Sequence, residues 1–116
     1  MKNFKKMNVW NNSIQLVKLV YKQTSNFPKE EMFGLTSQIR RCAVSIPSNF
    51  AEGSGRGTDK ELNRFLNISQ GSSFELETQL IIAFELGFIN LENFELLSSK
   101  LEEIQKMISG FQKKLK

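Results

Sequence analysis

With 116 residues, no histidine, one cysteine and a formal net charge of +4, the chain has room for one domain whose core needs no metal or disulfide staple. The lone Cys42 excludes an internal disulfide and fits a reducing compartment. The missing imidazole removes the commonest general base and metal ligand, and with it most hydrolase and zinc-site chemistry.

The amino-terminal MKNFKKMNVWNN has no apolar run behind its charges, so it does not read as a signal peptide. The longest apolar run, residues 80–84, is far too short to span a bilayer. A cytoplasmic protein without a membrane role is the expectation. No run of alternating β-branched residues marks a strand, and helical spacing appears four times.

The first helix is predicted over residues 8–24. Trp10, Ile14, Val17 and Tyr21 recur at spacings of three or four and share one face, with Leu16, Leu19 and Val20 widening it. Pro28 suits the first turn of a second helix, predicted over residues 28–52, where Glu30 and Glu31 meet the positive end of its dipole. Leu35, Ile39, Cys42 and Ile46 form its stripe. Cys42 on that stripe reads as a small packing residue. Pro47 lacks an N–H and crowds the carbonyl of Ala43, so a kink is predicted there, and Gly53, Gly55 and Gly57 supply the following turn.

The third helix is predicted over residues 59–86. Thr58 and Glu61 have capping-box spacing, and Gly87 is a natural residue just past the end. Leu62, Phe65, Leu66, Ser69, Ser73, Leu76, Leu80 and Ala83 make one apolar stripe. Gly71 costs about 1 kcal/mol inside a helix, which predicts a close crossing by another helix. The fourth helix, residues 91–114 with Asn90 as N-cap, carries Leu91, Phe94, Leu97, Leu101, Ile104, Ile108, Phe111 and Leu115 in a heptad-like seam. Four long helices with short links predict an all-α, up-down-up-down antiparallel four-helix bundle in a single domain spanning residues 1–116.

Two consequences follow from that arrangement. The third helix bears a second stripe, Phe74, Ile81 and Phe88 with Phe84 beside it, about 140° from the first at ~100° per residue. It predicts a homo-oligomer interface, because exposed aromatic patches mark association; a broad core contact is the alternative.

The second consequence is electrical. Residues 1–60 carry ten Lys/Arg against four Asp/Glu, and residues 61–116 six against eight. One end of such a bundle collects Lys2, Lys5, Lys6, Arg56, Lys60, Arg64, Lys113, Lys114 and Lys116 against Glu52, Asp59 and Glu61. The far end collects Glu30, Glu31, Glu85, Glu92 and Glu95 against Lys22 and Lys29. Each end presents two helix amino termini and two carboxyl termini, so macrodipoles do not produce this asymmetry. A basic end of this kind suits a phosphate backbone, RNA or DNA, and Arg40 is added to it as an exposed partner-binding residue. Solvated lysine tails are the plainer reading. Asn3, Phe4 and Trp10 could add stacking to a single strand, although Trp10 also fits the core.

Enzyme chemistry finds little support. Glu52, Glu61 and Glu75 lack a nucleophile elbow or metal-ligand spacing, and the glycine-rich turn lacks the spacing of a phosphate loop. No metal and no cofactor is called for. Arg41, Asn49, Glu52 and Glu75 read instead as a structural polar network. A turn centred near residue 55 places opposite each other residues whose numbers sum to about 111, so Arg40 faces Gly71 and Arg41 lies near Glu75.

The stretches FPKEEMFGLTSQIRRCAVSIPSNFAEGSGR, residues 27–56, and GSSFELETQL, residues 71–80, resemble the bacterial family named for proteins encoded in 23S rRNA intervening sequences. That family's pattern falls here on Phe27, Pro28, Glu31, Gly34, Leu35, QIRR at 38–41, SIPSN at 45–49, AEG at 51–53, Gly71, Ser72 and Glu75. Phe50 and Cys42 depart from its usual Ile and Ala. Ser69 and Gln70 precede the Gly-Ser pair where the family favours a small residue and a variable one. The resemblance implies a four-helix bundle that assembles as a homopentameric ring. It also implies kinship with accessory proteins of diversity-generating retroelements, which bind nucleic acid and a reverse transcriptase. The function expected is a non-enzymatic, oligomeric nucleic-acid binder; an interaction or assembly scaffold for a protein partner is the alternative.

Overall fold

A computed structural model describes residues 3–115; Lys2 and Lys116 lie outside the described residues. Four helices make the fold: α1 Asn8–Thr24, α2 Leu35–Ser54, α3 Asp59–Glu85 and α4 Leu91–Lys114. Two single 3-10 turns, Phe4–Lys6 and Lys29–Glu31, precede α1 and α2. Among the described residues there is no strand.

Side-chain contacts give the helix directions. Ser45 meets Ser72 and Ser69 donates to the Ile46 carbonyl, so α2 and α3 are antiparallel. Gln70 reaches Ser109 while Gln112 reaches Asn63, so α3 and α4 are antiparallel. Met7 and Val9 at the start of α1 lie beside Phe111 and Lys114 at the end of α4. The four rods run alternately up and down, and the 43 Å long axis is close to the ~40 Å that the 27 residues of α3 require.

The core follows the periodic apolar pattern. All eight residues of the expected α3 stripe, from Leu62 to Ala83, are buried. On α4, Leu97, Leu101, Ile104 and Ile108 are buried, while Leu91 is exposed. On α1 the buried line is Val9, Ser13, Leu16, Val20 and Thr24, one residue round from the line through Trp10 and Tyr21. The wide apolar arc of α1 lets its middle face the core and leaves Trp10, Ile14 and Val17 against α2.

Three local expectations change. The second helix starts at Leu35, not Pro28. Residues 29–31 form a 3-10 turn and the chain leaves helical geometry at Gly34 (φ −113°, ψ −113°). The Glu31 carboxylate then caps α2 by accepting the Leu35 N–H at 3.1 Å. A Cβ at position 34 would stand 3.0 Å from that carboxylate oxygen. The capping box of α3 is half made: the Thr58 hydroxyl accepts the Glu61 N–H, but the Glu61 carboxylate turns to Arg64. The close helix crossing lies at Gly53, where an added Cβ would be 2.7 Å from the Cβ of Phe65, whereas Gly71 has open space above it.

α2 continues through the buried Pro47. The ring deprives the Ala43 carbonyl of its helical donor. Neighbouring carbonyls take side-chain donors, Ile46 from Ser69 at 2.9 Å and Ser45 from Asn49 at 2.9 Å, a pattern that fits a bend at the proline. α3 closes on Gly87 (φ +78°), with the Phe88 N–H reaching the Ala83 carbonyl and the Gly87 N–H reaching Phe84, a Schellman motif.

Candidate nucleic-acid interface

One end of the bundle is built from the start of α1, the α2–α3 turn and the end of α4. Phe50 and Phe111 meet edge to face there, 5.5 Å between centroids, and tie α2 to α4. Gln112 donates to both Asn63 and Asn67 and ties α4 to α3. These contacts gather Lys5, Lys6, Arg56, Lys60, Arg64, Lys113 and Lys114 at one end, all of them exposed.

The two arginines are already engaged. Arg56 pairs with Glu52 at 2.9 Å, and Arg64 grips Glu61 with two donors at 2.9 and 3.3 Å. Both guanidinium groups lie over the Phe65 ring, at 5.0 and 4.5 Å. The hydrogen bond from Arg64 holds the Glu61 carboxyl below the usual carboxylate range. Among the described residues the five lysines make no ion pair, all five are exposed, and Lys60 acts on Glu61 only by its charge.

Arg40 does not join this end. It sits on the α1 side of α2, about 21 Å from the helix end at ~1.5 Å per residue. Its Nε donates to the Thr24 hydroxyl at 2.9 Å and its guanidinium lies 4.6 Å from the Tyr21 ring centre. Its neighbour Arg41 is the exposed one of the pair. The expected exposures of the two arginines are thus reversed: Arg40 is tied into the fold and Arg41 is open to solvent.

The polar network divides into pieces. Asn49 bonds Ser45, which meets Ser72 at 2.8 Å. Glu52 serves Arg56. Arg41 and Glu75 share a cleft of about 360 Å3 between α2 and α3 with Cys42 and Gln79, but among the described residues no ion pair joins them. Opposed residues on α2 and α3 have numbers that sum to 115–117, because the turn at residues 55–58 lies further along the chain than one centred on 55. Arg40 therefore does not face Gly71. Burial pushes the Cys42 thiol up, with the hydrogen bond of Gln79 pulling the other way and the charge of Glu75 adding to the rise.

The expected oligomer stripe also divides. Phe74 and Ile81 are 53% and 45% exposed. Phe84 stacks on Phe94 at 4.6 Å and Phe88 meets Phe27 at 5.8 Å, so both are half-buried against the core. Ile68, Ile82 and Leu86 join the exposed pair on the outward side of α3.

Sequence reasoning missed two features. One is the amide seam between α3 and α4, where Gln70, Gln105 and Gln112 bond across the helices; no periodic signal marks it. The other is the freedom from acid of α1, legible from the absence of Asp or Glu before Glu30. Among the described residues no group of three acidic, cysteine or histidine side chains could hold a metal, and no helix is long and apolar enough to cross a membrane.

No curated protein matches the chain. Among solved structures it is similar to a protein from Bacteroides thetaiotaomicron VPI-5482, described as of unknown function and from the S23 ribosomal protein family. The TM-score is 0.81 at 24% sequence identity, over 90% of this chain and 98% of that one. That likeness supports the four-helix fold. The family model for the 23S rRNA-intervening sequence protein matches residues 5–110, nearly the whole chain. By that match the chain belongs to the 23S rRNA-intervening sequence protein family.

Proposed function

We propose that the protein is a non-enzymatic, homo-oligomeric helical bundle of the cytoplasm that binds RNA or DNA through its basic end. The observation that carries this reading is the set of five exposed lysines, Lys5, Lys6, Lys60, Lys113 and Lys114, gathered at one end without ion pairs among the described residues. Lysines held this way neutralise phosphates by displacing counterions, which gives affinity with little base readout. The outward apolar side of α3 supports self-association, since Phe74, Ile81, Ile82 and Leu86 would otherwise stay in water. Five copies in a ring is the assembly that the family resemblance suggests.

Mixed-sequence RNA and DNA, titrated at low and at moderate salt, test the reading. Binding at low salt that weakens by orders of magnitude as salt rises is the expected result. No binding at low salt would reject it.

A second reading rests on Phe33, which is 98% exposed in the turn before α2. A bare ring beside Met32 suits a protein partner, a reverse transcriptase among the classes the resemblance suggests. Pull-down of such a partner by the intact protein, abolished in Phe33→Ser, with no nucleic-acid affinity at low salt, would favour it.

A further inference from the structure

The amino-terminal 3-10 turn does not trail into solvent. The Asn11 amide donates to the carbonyls of Lys5 and Met7 at 3.1 and 3.0 Å, and Asn3 accepts the Lys5 N–H at 3.2 Å. This fixes Phe4 edge-on against Trp10, with ring centroids 5.3 Å apart. Both rings line a groove of about 280 Å3 whose other wall is α2, with Val44, Pro47 and Ser48. The groove is lined mainly by apolar side chains, and Ser48 among its residues is exposed.

Its surroundings carry charge of one sign. Lys5 and Lys6 follow Phe4 in the same 3-10 turn, both exposed, with Lys6 on the neighbouring cleft between α1 and α4. α1 contains no Asp or Glu at all, and the first acid of α2 is Glu52, already paired with Arg56. Further along the same face of α1 stands Tyr21, 44% exposed with the Arg40 guanidinium against it. Aromatic rings alternating with uncompensated cations, with Glu52 the one carboxylate on α1 and α2 and already paired, complement a polyanion whose bases are unstacked.

We propose that this groove is a base slot. A base of single-stranded nucleic acid enters between the Phe4–Trp10 pair and α2, while Lys5 and Lys6 hold the adjoining phosphates. The slot rests on the nucleic-acid reading above and narrows it to single strands. A duplex keeps its bases stacked and offers the groove only its phosphates, so it binds by charge alone.

Trp10 is the single tryptophan of the chain, so its emission reports on the groove directly. The intact protein is titrated with oligo(dT) and with the oligo(dA)·oligo(dT) duplex of the same length, following Trp10 emission and the anisotropy of a label on the nucleic acid. The single strand should quench Trp10 and bind at least about fivefold tighter than the duplex, as stacking of one base implies. Ser48→Gln puts a better helix former on an exposed site and crowds the groove mouth. It should abolish the quench and the preference while leaving duplex affinity unchanged. Equal affinities with unaltered emission would overturn the slot and leave the basic end standing. Binding of neither oligonucleotide would overturn both. A Trp10 emission change driven by protein concentration alone would mean that a second copy fills the groove, and would also overturn the slot.

Discussion

An added Cβ at Gly53 would stand 2.7 Å from the Cβ of Phe65 and 3.2 Å from the Cα of Leu62. Backbone and Cβ atoms cannot swing aside, so α2 and α3 approach this closely only across a glycine. Gly53→Ala should lower stability by about 1–3 kcal/mol, the usual cost of overpacking, read from urea unfolding; an unchanged midpoint would contradict the crossing. Gly71 has the opposite surroundings and no reason within one copy to be glycine. At Cys42 the physical issue is the thiolate. Burial raises its pKa, so less thiolate is present at neutral pH and alkylation of the folded protein should be slower than that of free cysteine. The rate should rise with a midpoint above that of a free thiol; equal rates at about pH 8, just below the free-thiol pKa, would show the thiol to be open. The two arginines show where residue-level reading ends. Arg40 and Arg41 are about 100° apart on the helix, and periodicity alone does not say which meets α1 and which meets water.

At the scale of elements, α3 was the most legible part of the chain. A strict apolar stripe eight residues long leaves one way to turn the helix toward the core, and that way is observed. The second stripe was legible only in half. Phe84 and Phe88 lie at the carboxyl end of α3 and beyond it, where the Schellman turn and the neighbouring Phe94 and Phe27 draw them inward. Phe74 and Ile81 lie in mid-helix and remain exposed. Replacing both with glutamate should therefore leave helix content unchanged and reduce the proposed assembly to monomer by light scattering. Wild-type protein that is already monomeric at tens of micromolar would remove the interface. The start of α2 differs from the expected one because Pro28 and the acids after it are equally good signals for a 3-10 turn. The deciding contact, Glu31 to the Leu35 N–H, spans the three residues between the 3-10 turn and α2.

Across the whole molecule the charges separate by end, and the separation depends on topology. An up-down bundle brings residue 5 to the same end as residue 113, joining the two lysines of the first 3-10 turn to the two that close α4. Neutralising Lys60, Lys113 and Lys114 with glutamine should flatten the dependence of log K on log salt by about 0.7–0.9 for each phosphate that is no longer neutralised. The overall fold should persist, because all three side chains are exposed. An unchanged slope would reject this surface as the binding site while leaving the fold untouched.

The sequence by itself determined the number of helices, the apolar faces of α3 and α4, the stop at Gly87 and the gathering of cations at one end. These depend on contacts a few residues apart, or on the alternation of direction that short links impose. Only the tertiary structure decided the rotation of α1, the register of α2 on α3, the close crossing at Gly53 and the division of the arginines between fold and solvent. Each of those depends on how side chains from distant segments share one volume, which the chain's local periodicity does not encode.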